Sequence, residues 1–384
     1  MLSPVYKNWD EVKQDIKSTT ARPVVHPGKL YLKGNYIFLN EINKGVHIID
    51  NSNPAAPQNV AFINIPGNVD IAVKENVLYA DTYTRLLTIN IENPLQSVVV
   101  KTTESVFPYR VYTNGFYADS SKVIVDWISK DTTVEEDCAN PVAWGRGVFL
   151  MNADATKNYN GSAVNIPGIS GSLSSFTVTA NRLYTVDFGQ LKVFNVETAA
   201  NPTQVNTVYT GWNGETIFPF KDKLFVGGQT GMSIFNIGNA DAPKYEGSFG
   251  HARVCDPVIA DDKYAFVTLW SESRCMGNIN ELDVLDISNI QQPTLIKAYN
   301  LKAPHGLSKD GNLLFICDGL DGVKIYNSGD VQNLQLIKQI SGINAFEVIA
   351  YNNTAIVVAT DGLYQYDYSN AANIKLLSKI SIQK

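Results

Sequence analysis

The fold is decided by one stretch, Gly45-Val46-His47-Ile48-Ile49-Asp50-Asn51-Ser52-Asn53-Pro54, which recurs along this chain of 384 residues. Its alternating apolar residues end in an Asp, and a Pro follows shortly, as where a strand runs into a turn. The same marker, an Asp or Asn that closes a mostly apolar stretch, returns at Asn90, Asn152, Asn195, Asn236, Asp286, Asn327 and Asp367. Five of the seven intervals between markers are 40 to 43 residues, whereas those that end at Asn152 and Asp286 are 62 and 50. This period indicates repeated structural units, two of which carry insertions.

Each unit contains the strands of one propeller blade. In the second unit, strand-like segments at 70–73, 77–81, 86–90 and 97–101 are separated by turn residues. Four such strands form one blade, and blades bury their faces only by stacking in a closed ring. We therefore predict an all-β fold, a single β-propeller of eight four-stranded blades; the alternative is seven blades with the third unit displaced as an insertion. The units cover about 28–67, 68–106, 107–168, 169–211, 212–250, 251–302, 303–341 and 342–384.

The units resemble the LVIVD repeat, whose consensus has a Gly, alternating aliphatic residues, an Asp, and then Ser or Asn with Pro. The best matches are 45–54 and Leu282-Asp283-Val284-Leu285-Asp286-Ile287-Ser288-Asn289, and the resemblance covers about residues 28–384. The last unit departs from the consensus because no Pro follows Asp367. The resemblance implies a propeller displayed at the surface of bacterial cells.

The whole chain is also similar to lipoproteins of Bacteroidetes, in which an N-terminal Cys anchor precedes a start like this one. This similarity implies an extracytoplasmic protein, an outer-membrane or cell-surface lipoprotein with a lipid anchor upstream of the chain. It transfers no activity.

Charge and composition narrow the classes of partner. The net charge is −6, and the Lys and Arg residues are scattered, so nucleic acid is not an expected partner. No run of 18 apolar residues is present, so no transmembrane segment is expected. The first residues lack the charged and apolar regions of an export signal, and any such signal is expected upstream of Met1.

Residues 1–27 precede the repeats. Trp9, Val12 and Ile16 recur at helical spacing, which predicts a short amphipathic helix outside the ring. Residues 22–26 would tether this helix to the first blade.

The two insertions fall at equivalent places. The inserted loop of unit three covers 127–146 and that of unit six covers 270–281, in each case between the second and third strands. In a four-stranded meander these loops leave from the rim at which the chain crosses from one blade to the next, here called the crossing rim. Long loops in compact folds tend to be functional, so the crossing rim is the predicted binding face; decorative variation is the alternative.

Polar residues at the blade crossings form a candidate ligand site at the mouth of the central channel, because first strands line that channel. We expect one group to cluster there and a second group to complete the ring at greater distance. The first group is His251, Arg253, Asp256 and His305; the second is Asp70, Tyr109 and Glu215. Arg110 and Glu347 are further polar residues at the crossings that are not assigned to the site.

A divalent metal ion is one hypothesis for this site. Imidazole and carboxylate groups suit several such ions, and His251, Asp256 and His305 would supply them. The other interpretation is that these side chains face trapped water and bond the backbone. No close spacing of ligands decides between the two.

The four cysteines leave their pairing open. Cys255 begins the first strand of unit six and Cys275 lies in the insertion of the same unit, so a disulfide between them would fit an extracytoplasmic protein. Cys317 lies within an apolar strand and is expected to be a buried free thiol. Cys138 lies in the other loop, and four cysteines allow three pairings.

Two functions remain as hypotheses. The first is a non-catalytic extracytoplasmic binding or scaffold protein that holds a protein, glycan or small ligand on the crossing rim. The second is a metal-dependent propeller hydrolase or lyase with its site at the channel mouth. The sequence contains no recognisable catalytic residues, and the metal is the only cofactor that it suggests.

Overall fold

A computed structural model describes residues 2–110, 112, 116, 118, 121–129, 169–187, 189–211, 214–251, 257–271 and 279–383. The chain begins with β1 (Leu2–Asn8), α1 (Trp9–Asp15) and β2 (Lys17–Thr20). Blade 1 is β3 (Pro27–Lys33), β4 (Tyr36–Glu41), β5 (Gly45–Asp50) and β6 (Gln58–Asn64). Blade 2 is β7 (Ile71–Lys74), β8 (Val77–Thr82), β9 (Arg85–Asn90) and β10 (Val98–Thr103). The strands β11 (Lys122–Ser129) and β12 (Ile169–Ser170) follow.

Five more blades complete the ring. Blade 3 is β13 (Phe176–Thr179), β14 (Arg182–Asp187), β15 (Gln190–Asn195) and β16 (Thr203–Tyr209). Blade 4 is β17 (Gly214–Phe220), β18 (Lys223–Gly228), β19 (Gly231–Asn236) and β20 (Lys244–Gly250). Blade 5 is β21 (Val258–Ala260), β22 (Tyr264–Leu269), β23 (Glu281–Asp286) and β24 (Thr294–Asn300). Blade 6 is β25 (Leu307–Asp310), β26 (Leu313–Cys317), β27 (Val323–Asn327) and β28 (Gln335–Ile340), and blade 7 is β29 (Ala345–Tyr351), β30 (Thr354–Ala359), β31 (Gly362–Asp367) and β32 (Lys375–Ser381).

The prediction of eight blades is wrong, and the ring has seven. Residues 123–126, expected in a third blade, belong to β11, which pairs with β1 at the N-terminus. Blade 2 instead packs directly on blade 3. The hydroxyl of Tyr79 donates to the carbonyl of Ala199 over 2.7 Å, just as Tyr184 of blade 3 donates to Ala240 of blade 4 over 2.8 Å. These are equivalent positions in successive blades, so nothing is inserted between blades 2 and 3.

The error has a physical reason. An apolar stretch closed by Asn marks the end of a strand, but it does not say which strand pairs with it. The marker at Asn152 lies outside the described residues.

The core lies between the blades, where second strands are buried on both faces. The third residue of the second strand is aromatic in six of the seven blades. These residues are Phe38, Tyr79, Tyr184, Phe225, Phe266 and Phe315, all essentially inaccessible to solvent. Burial of each such side chain contributes about 1.5–3 kcal/mol, so stacking of neighbouring blades is what stabilises the ring.

Blade 7 closes the ring against blade 1. The side-chain amides of Asn51 and Gln365 donate to each other's oxygens over 3.0 and 2.6 Å. The hydroxyl of Ser378 donates to the carbonyl of Pro54 over 2.6 Å. Every blade takes its four strands from consecutive sequence, so these contacts, and not strand exchange, seal the junction.

The predicted N-terminal helix is confirmed as α1. Asn8 caps it, because its side chain accepts the backbone N–H of Glu11 while the Glu11 carboxylate accepts the N–H of Asn8. Val12 packs on Tyr83 and Val123, which places α1 and β11 over the crossing rim. No helix in the described part of the chain has the length and apolar character needed to cross a membrane.

Candidate functional site in the central channel

The innermost strands each present one residue to the central channel at the same level. The position is defined by strand register. In blade 1, Leu30 of the first strand pairs with Leu39, the fourth residue of the second strand, and the channel residue is Lys29, directly before Leu30. The same rule selects one residue in each of the other blades. The seven residues of this channel ring are Lys29, Asp70, Ser175, Thr216, Pro257, Gly306 and Glu347. Of these, Lys29, Asp70 and Glu347 are ionisable, and they come from three neighbouring blades, 1, 2 and 7.

Lys29 is buried close to two acids. The exposed fractions of Lys29, Asp70 and Glu347 are 8%, 0% and 1%. Burial lowers the pKa of Lys29 to about 8, although the acids oppose this shift. Burial raises the pKa of Asp70 to about 6 and that of Glu347 to about 7, against the effect of the positive charge of Lys29. The three groups therefore form one electrostatic cluster in which burial opposes the charge of each member and the opposite charges favour it.

Residues 169–175 run along the inside of the ring beside this cluster. β12 pairs antiparallel with β3, and the backbone N–H of Gly171 continues the pairing to the carbonyl of Leu30 over 2.9 Å. Blade 1 thereby gains a strand on its channel side. The chain then crosses to blade 3, and residues 171–175, here called the serine segment, lie against the two acids.

Glu347 anchors the first half of the serine segment. Its Oε1 accepts the backbone N–H and the hydroxyl of Ser172, both over 3.1 Å, and its Oε2 accepts the N–H of Leu173 over 2.9 Å. The hydroxyl oxygen of Ser172 also accepts the N–H of Leu307 over 2.6 Å. The Nζ of Lys29 donates to the carbonyl of Leu173. The segment is thus tied to blades 1, 6 and 7 at one point.

Asp70 anchors the second half. Its Oδ1 accepts the hydroxyl of Ser174 over 2.8 Å and the N–H of Ile71 over 2.7 Å. Its Oδ2 accepts the N–H of Ser175 over 2.5 Å and the Ser175 hydroxyl over 3.0 Å. A carboxylate has about four lone-pair sites, so these bonds fill the capacity of Asp70.

Two glycines leave space for the Glu347 side chain. A Cβ on Gly171 would lie 2.4 Å from the Cδ of Glu347, and a Cβ on Gly306 would lie 2.3 Å from its Oε1. The carboxylate cannot move aside without breaking its hydrogen bonds. A larger residue at either position would therefore displace the acid or the serine segment.

Two of the predicted site residues meet at this cluster. Glu215, one residue before the channel ring, accepts the side-chain amide of Gln229 over 2.7 Å, and its charge acts on Lys29. Asp70 and Glu215 thus share Lys29 as an electrostatic neighbour. The sequence analysis placed Glu347 among the polar residues at the crossings without assigning it to the site, and it missed Lys29. Both residues occupy the register position of Asp70 on their first strands.

The two predicted histidines lie in different surroundings. His305 packs on Trp270 with ring centroids 4.0 Å apart, and its Nδ1 lies 2.5 Å from the carbonyl oxygen of Ala303. Burial lowers the pKa of His305, which favours the neutral imidazole. His251 lies near Asp283, whose pKa burial raises to about 6 while the charge of His251 opposes the rise. His251 and His305 thus have different neighbours among the described residues.

Of the remaining predicted ligand residues, one is exposed and two are not described. Tyr109 is exposed on the crossing rim beside Arg110, whose guanidinium donates to the Asn43 side chain over 2.6 Å. Arg253 and Asp256 lie outside the described residues. The clustering of these two with His251 and His305 therefore stays a prediction.

The disulfide and metal hypotheses also involve residues outside the described ranges. Cys255, Cys275 and Cys138 lie outside the described residues, whereas Cys317 is buried without a disulfide, as expected, and burial raises its pKa. Across the described ranges, no three His, Cys, Asp or Glu side chains are grouped so as to hold a metal ion. The metal hypothesis includes Asp256 and so extends beyond those ranges.

His47, a buried histidine of blade 1, belongs to a hydrogen-bond network that is structural. The Nε2 of His47 lies 2.9 Å from the Oε2 of Glu41, whose oxygens also accept the backbone N–H groups of Val25 and His26 over 3.1 and 2.8 Å. Burial would raise the pKa of Glu41, but these hydrogen bonds outweigh it and hold the pKa below its usual value. The network fastens the N-terminal tether to blade 1.

The fold and the channel define a β-propeller whose channel is partly filled by its own serine segment. Residues 28–63 and 256–301 match the LVIVD repeat, so these two segments of the propeller carry LVIVD repeats. No curated protein matches the chain. The likeness to Bacteroidetes lipoproteins therefore stays an expectation.

Solved structures share the fold at low sequence identity. The periplasmic gluconolactonase PpgL of Pseudomonas aeruginosa aligns with a TM-score of 0.58 and 10% identity, over 92% of this chain and 96% of that one. BamB of Moraxella catarrhalis aligns with a TM-score of 0.53 and 9% identity, over 95% and 97% of the two chains. A protein from Lactobacillus plantarum aligns with a TM-score of 0.55 and 12% identity, over 93% and 97%. These similarities show the fold alone.

Proposed function

We propose that the chain is a non-catalytic, extracytoplasmic binding or scaffold propeller that holds a protein partner on its crossing rim. The observation that carries this proposal is that the two acids of the channel ring are hydrogen-bonded to the chain itself. Asp70 and Glu347, the acids that a substrate would meet at this level, are bonded to the chain's own serine segment. Their chemistry stabilises the ring and is not open to a reacting molecule.

The crossing rim supports a binding role because apolar side chains stand exposed on it. They come from the β1–β11 ribbon, from the stretch after β10, from the end of β16 and from the β26–β27 loop. These residues are Tyr6, Ile128, Tyr109, Tyr209 and Leu320, with exposed fractions of 42% to 81%. Aromatic residues are enriched in protein interfaces, so the three tyrosines of this set favour a protein partner.

The ribbon is held firmly enough to present a surface. Trp127 of β11 makes edge contacts with Tyr112 and Phe116, with ring centroids 5.7 and 5.5 Å apart. Lys44, in the β4–β5 turn, forms an ion pair with Asp126 over 3.7 Å. These contacts place the ribbon over blade 1.

Site-specific photocrosslinking tests the proposal. Tyr109 and Tyr209 on the crossing rim are replaced in turn by benzoylphenylalanine in the cells that naturally make the protein. Tyr245, which is exposed on the outer wall, provides a matched control position. We expect the same discrete protein adduct from positions 109 and 209 and none from position 245. Absence of an adduct from both rim positions, or an equal yield from position 245, would contradict the proposal.

Metal analysis of the purified protein separates this proposal from a metal-dependent hydrolase or lyase. We expect no stoichiometric divalent ion in protein prepared without chelators. A full equivalent of bound metal that is lost on substitution of His251 or His305 would contradict a non-catalytic role.

A further inference from the structure

A cavity of about 540 Å³ opens between blades 7 and 1 on the rim opposite the crossing rim, here called the turn rim. Its volume falls within the range of roughly 300–1,000 Å³ that small-molecule sites occupy. Its lining residues are Leu32, Gly34, Asn35, Tyr36, Ile37, Asn51, Pro54, Ile169, Tyr351, Asn352, Thr354 and Ile356. None of these side chains is charged. A charged ligand would lose its hydration here without gaining a counter-charge, so the cavity suits a neutral one.

Polar groups face the cavity from the turns of both blades. Asn35 lies in the β3–β4 turn and Asn352 in the equivalent β29–β30 turn, and Thr354 begins β30. Among the described residues, no hydrogen bond engages the two side-chain amides or the Thr354 hydroxyl. An amide offers both donors and an acceptor, which matches a ligand that carries hydroxyl groups.

Apolar and aromatic groups supply the rest of the wall. Tyr351 is 43% exposed at the mouth, and Tyr36 lies at the start of β4 on the other side. Leu32, Ile37 and Ile356 line the interior. A pyranose ring has faces rich in C–H groups and an edge of hydroxyl groups. It can therefore pack on tyrosine and aliphatic side chains while the amides bond its hydroxyls.

The walls of the cavity are fixed before any ligand arrives. Asn51 is held by its reciprocal amide pair with Gln365, which spans the two blades, and its backbone N–H donates to the carbonyl of Asn35 over 2.7 Å. A preformed site avoids the entropic cost of ordering loops on binding.

We propose that this cavity binds a neutral saccharide. The cavity lies on the turn rim, whereas the protein partner is proposed to bind the crossing rim. Failure of one proposal therefore does not decide the other. The neutral lining, the two tyrosines and the amides from the turns of both blades together favour this class over anionic or purely apolar ligands.

The test uses the full chain on an array of neutral and acidic oligosaccharides, followed by calorimetric titration of each oligosaccharide that binds. Tyr351→Ala removes one tyrosine, and Asn352→Gly removes one amide while it preserves the left-handed backbone at φ 49°. Tyr245→Ala, an equally drastic change on the outer wall, serves as the matched control. We expect neutral sugars to bind, each cavity variant to weaken binding at least about tenfold, and the control to leave it unchanged.

Three results would overturn the proposal. The first is an array on which no neutral oligosaccharide gives saturable binding. The second is a preference for acidic sugars. The third is binding that survives both cavity substitutions in variants whose melting temperatures match that of the unsubstituted protein.

Discussion

Replacement of Glu347 by Ala should destabilise the propeller strongly. The side chain accepts hydrogen bonds from Ser172 through its N–H and hydroxyl, from Leu173 and from the N–H of Val348, over 2.9 to 3.1 Å. The substitution leaves these buried donors without their acceptor and removes a negative charge near Lys29. Removal of one partner from a buried, hydrogen-bonded charge pair costs about 3–5 kcal/mol.

The expected loss lies at the lower end of that range. Burial raises the pKa of Glu347, which reduces the contribution of its charge near neutral pH. We therefore expect the free energy of unfolding to fall by about 3 kcal/mol at pH 7.

Urea unfolding followed by tryptophan fluorescence measures this loss. Glu197→Ala is the matched control, since it removes a largely exposed carboxylate whose contact with Arg182 is 3.1 Å long. Exposed ion pairs contribute about 0–1 kcal/mol, so the control should stay within that range of the unsubstituted protein. A loss for Glu347→Ala no larger than that for Glu197→Ala would refute the anchoring role of the acid.

Three further predictions concern pH, ring closure and the cysteines. Burial raises the pKa of Asp70 from 3.8 to about 6, so the native state holds that proton more tightly than the unfolded chain does. This group should therefore lower the unfolding free energy by about 2 kcal/mol as pH rises from 4 to 7, and in Asp70→Asn, measured at both pH values, this part of the fall should vanish. Gln365→Ala leaves the side-chain amide of Asn51 without its partner and should lower the unfolding free energy by about 1–3 kcal/mol. A double-mutant cycle with Asn51→Ala should show a clear coupling energy, whereas additive effects would show that the pair does not stabilise the junction of blades 7 and 1. Peptide mapping without reductant should recover Cys255 linked to Cys275, and two free thiols in oxidatively handled protein would remove that pairing.

The blades could be predicted from sequence because their determinants are local. The alternating residues before Asp50, the turn chemistry after it and the near-constant spacing specify four strands per unit without reference to the rest of the chain. The count of blades is not local. It depends on whether 123–126 pairs within the ring or with residues 2–8, and no feature of a short apolar strand specifies its partner.

The candidate site could be predicted only in part, for a similar reason. Asp70 and Glu215 were found because crossings were expected at the channel. The sequence Gly171-Ser172-Leu173-Ser174-Ser175 has the composition of a linker, and its role depends on two acids that lie about 100 and 175 residues away. Only the register of the first strands shows that Asp70 and Glu347 face the same space. The packing of His305 on Trp270 is likewise a tertiary contact that no sequence periodicity predicts.

Amide hydrogen exchange over residues 169–176 tests the central claim most directly, namely that the chain's own serine segment occupies the acids of the channel. The N–H groups of Gly171, Ser172, Leu173 and Ser175 donate to the Leu30 carbonyl, to Glu347 and to Asp70. We predict protection of these amides comparable to that of the strands of blade 3, and loss of protection at Ser172 and Leu173 in Glu347→Ala. Exchange as fast as in an unstructured peptide in the unsubstituted protein would contradict the account, because the channel acids would then be open to a substrate.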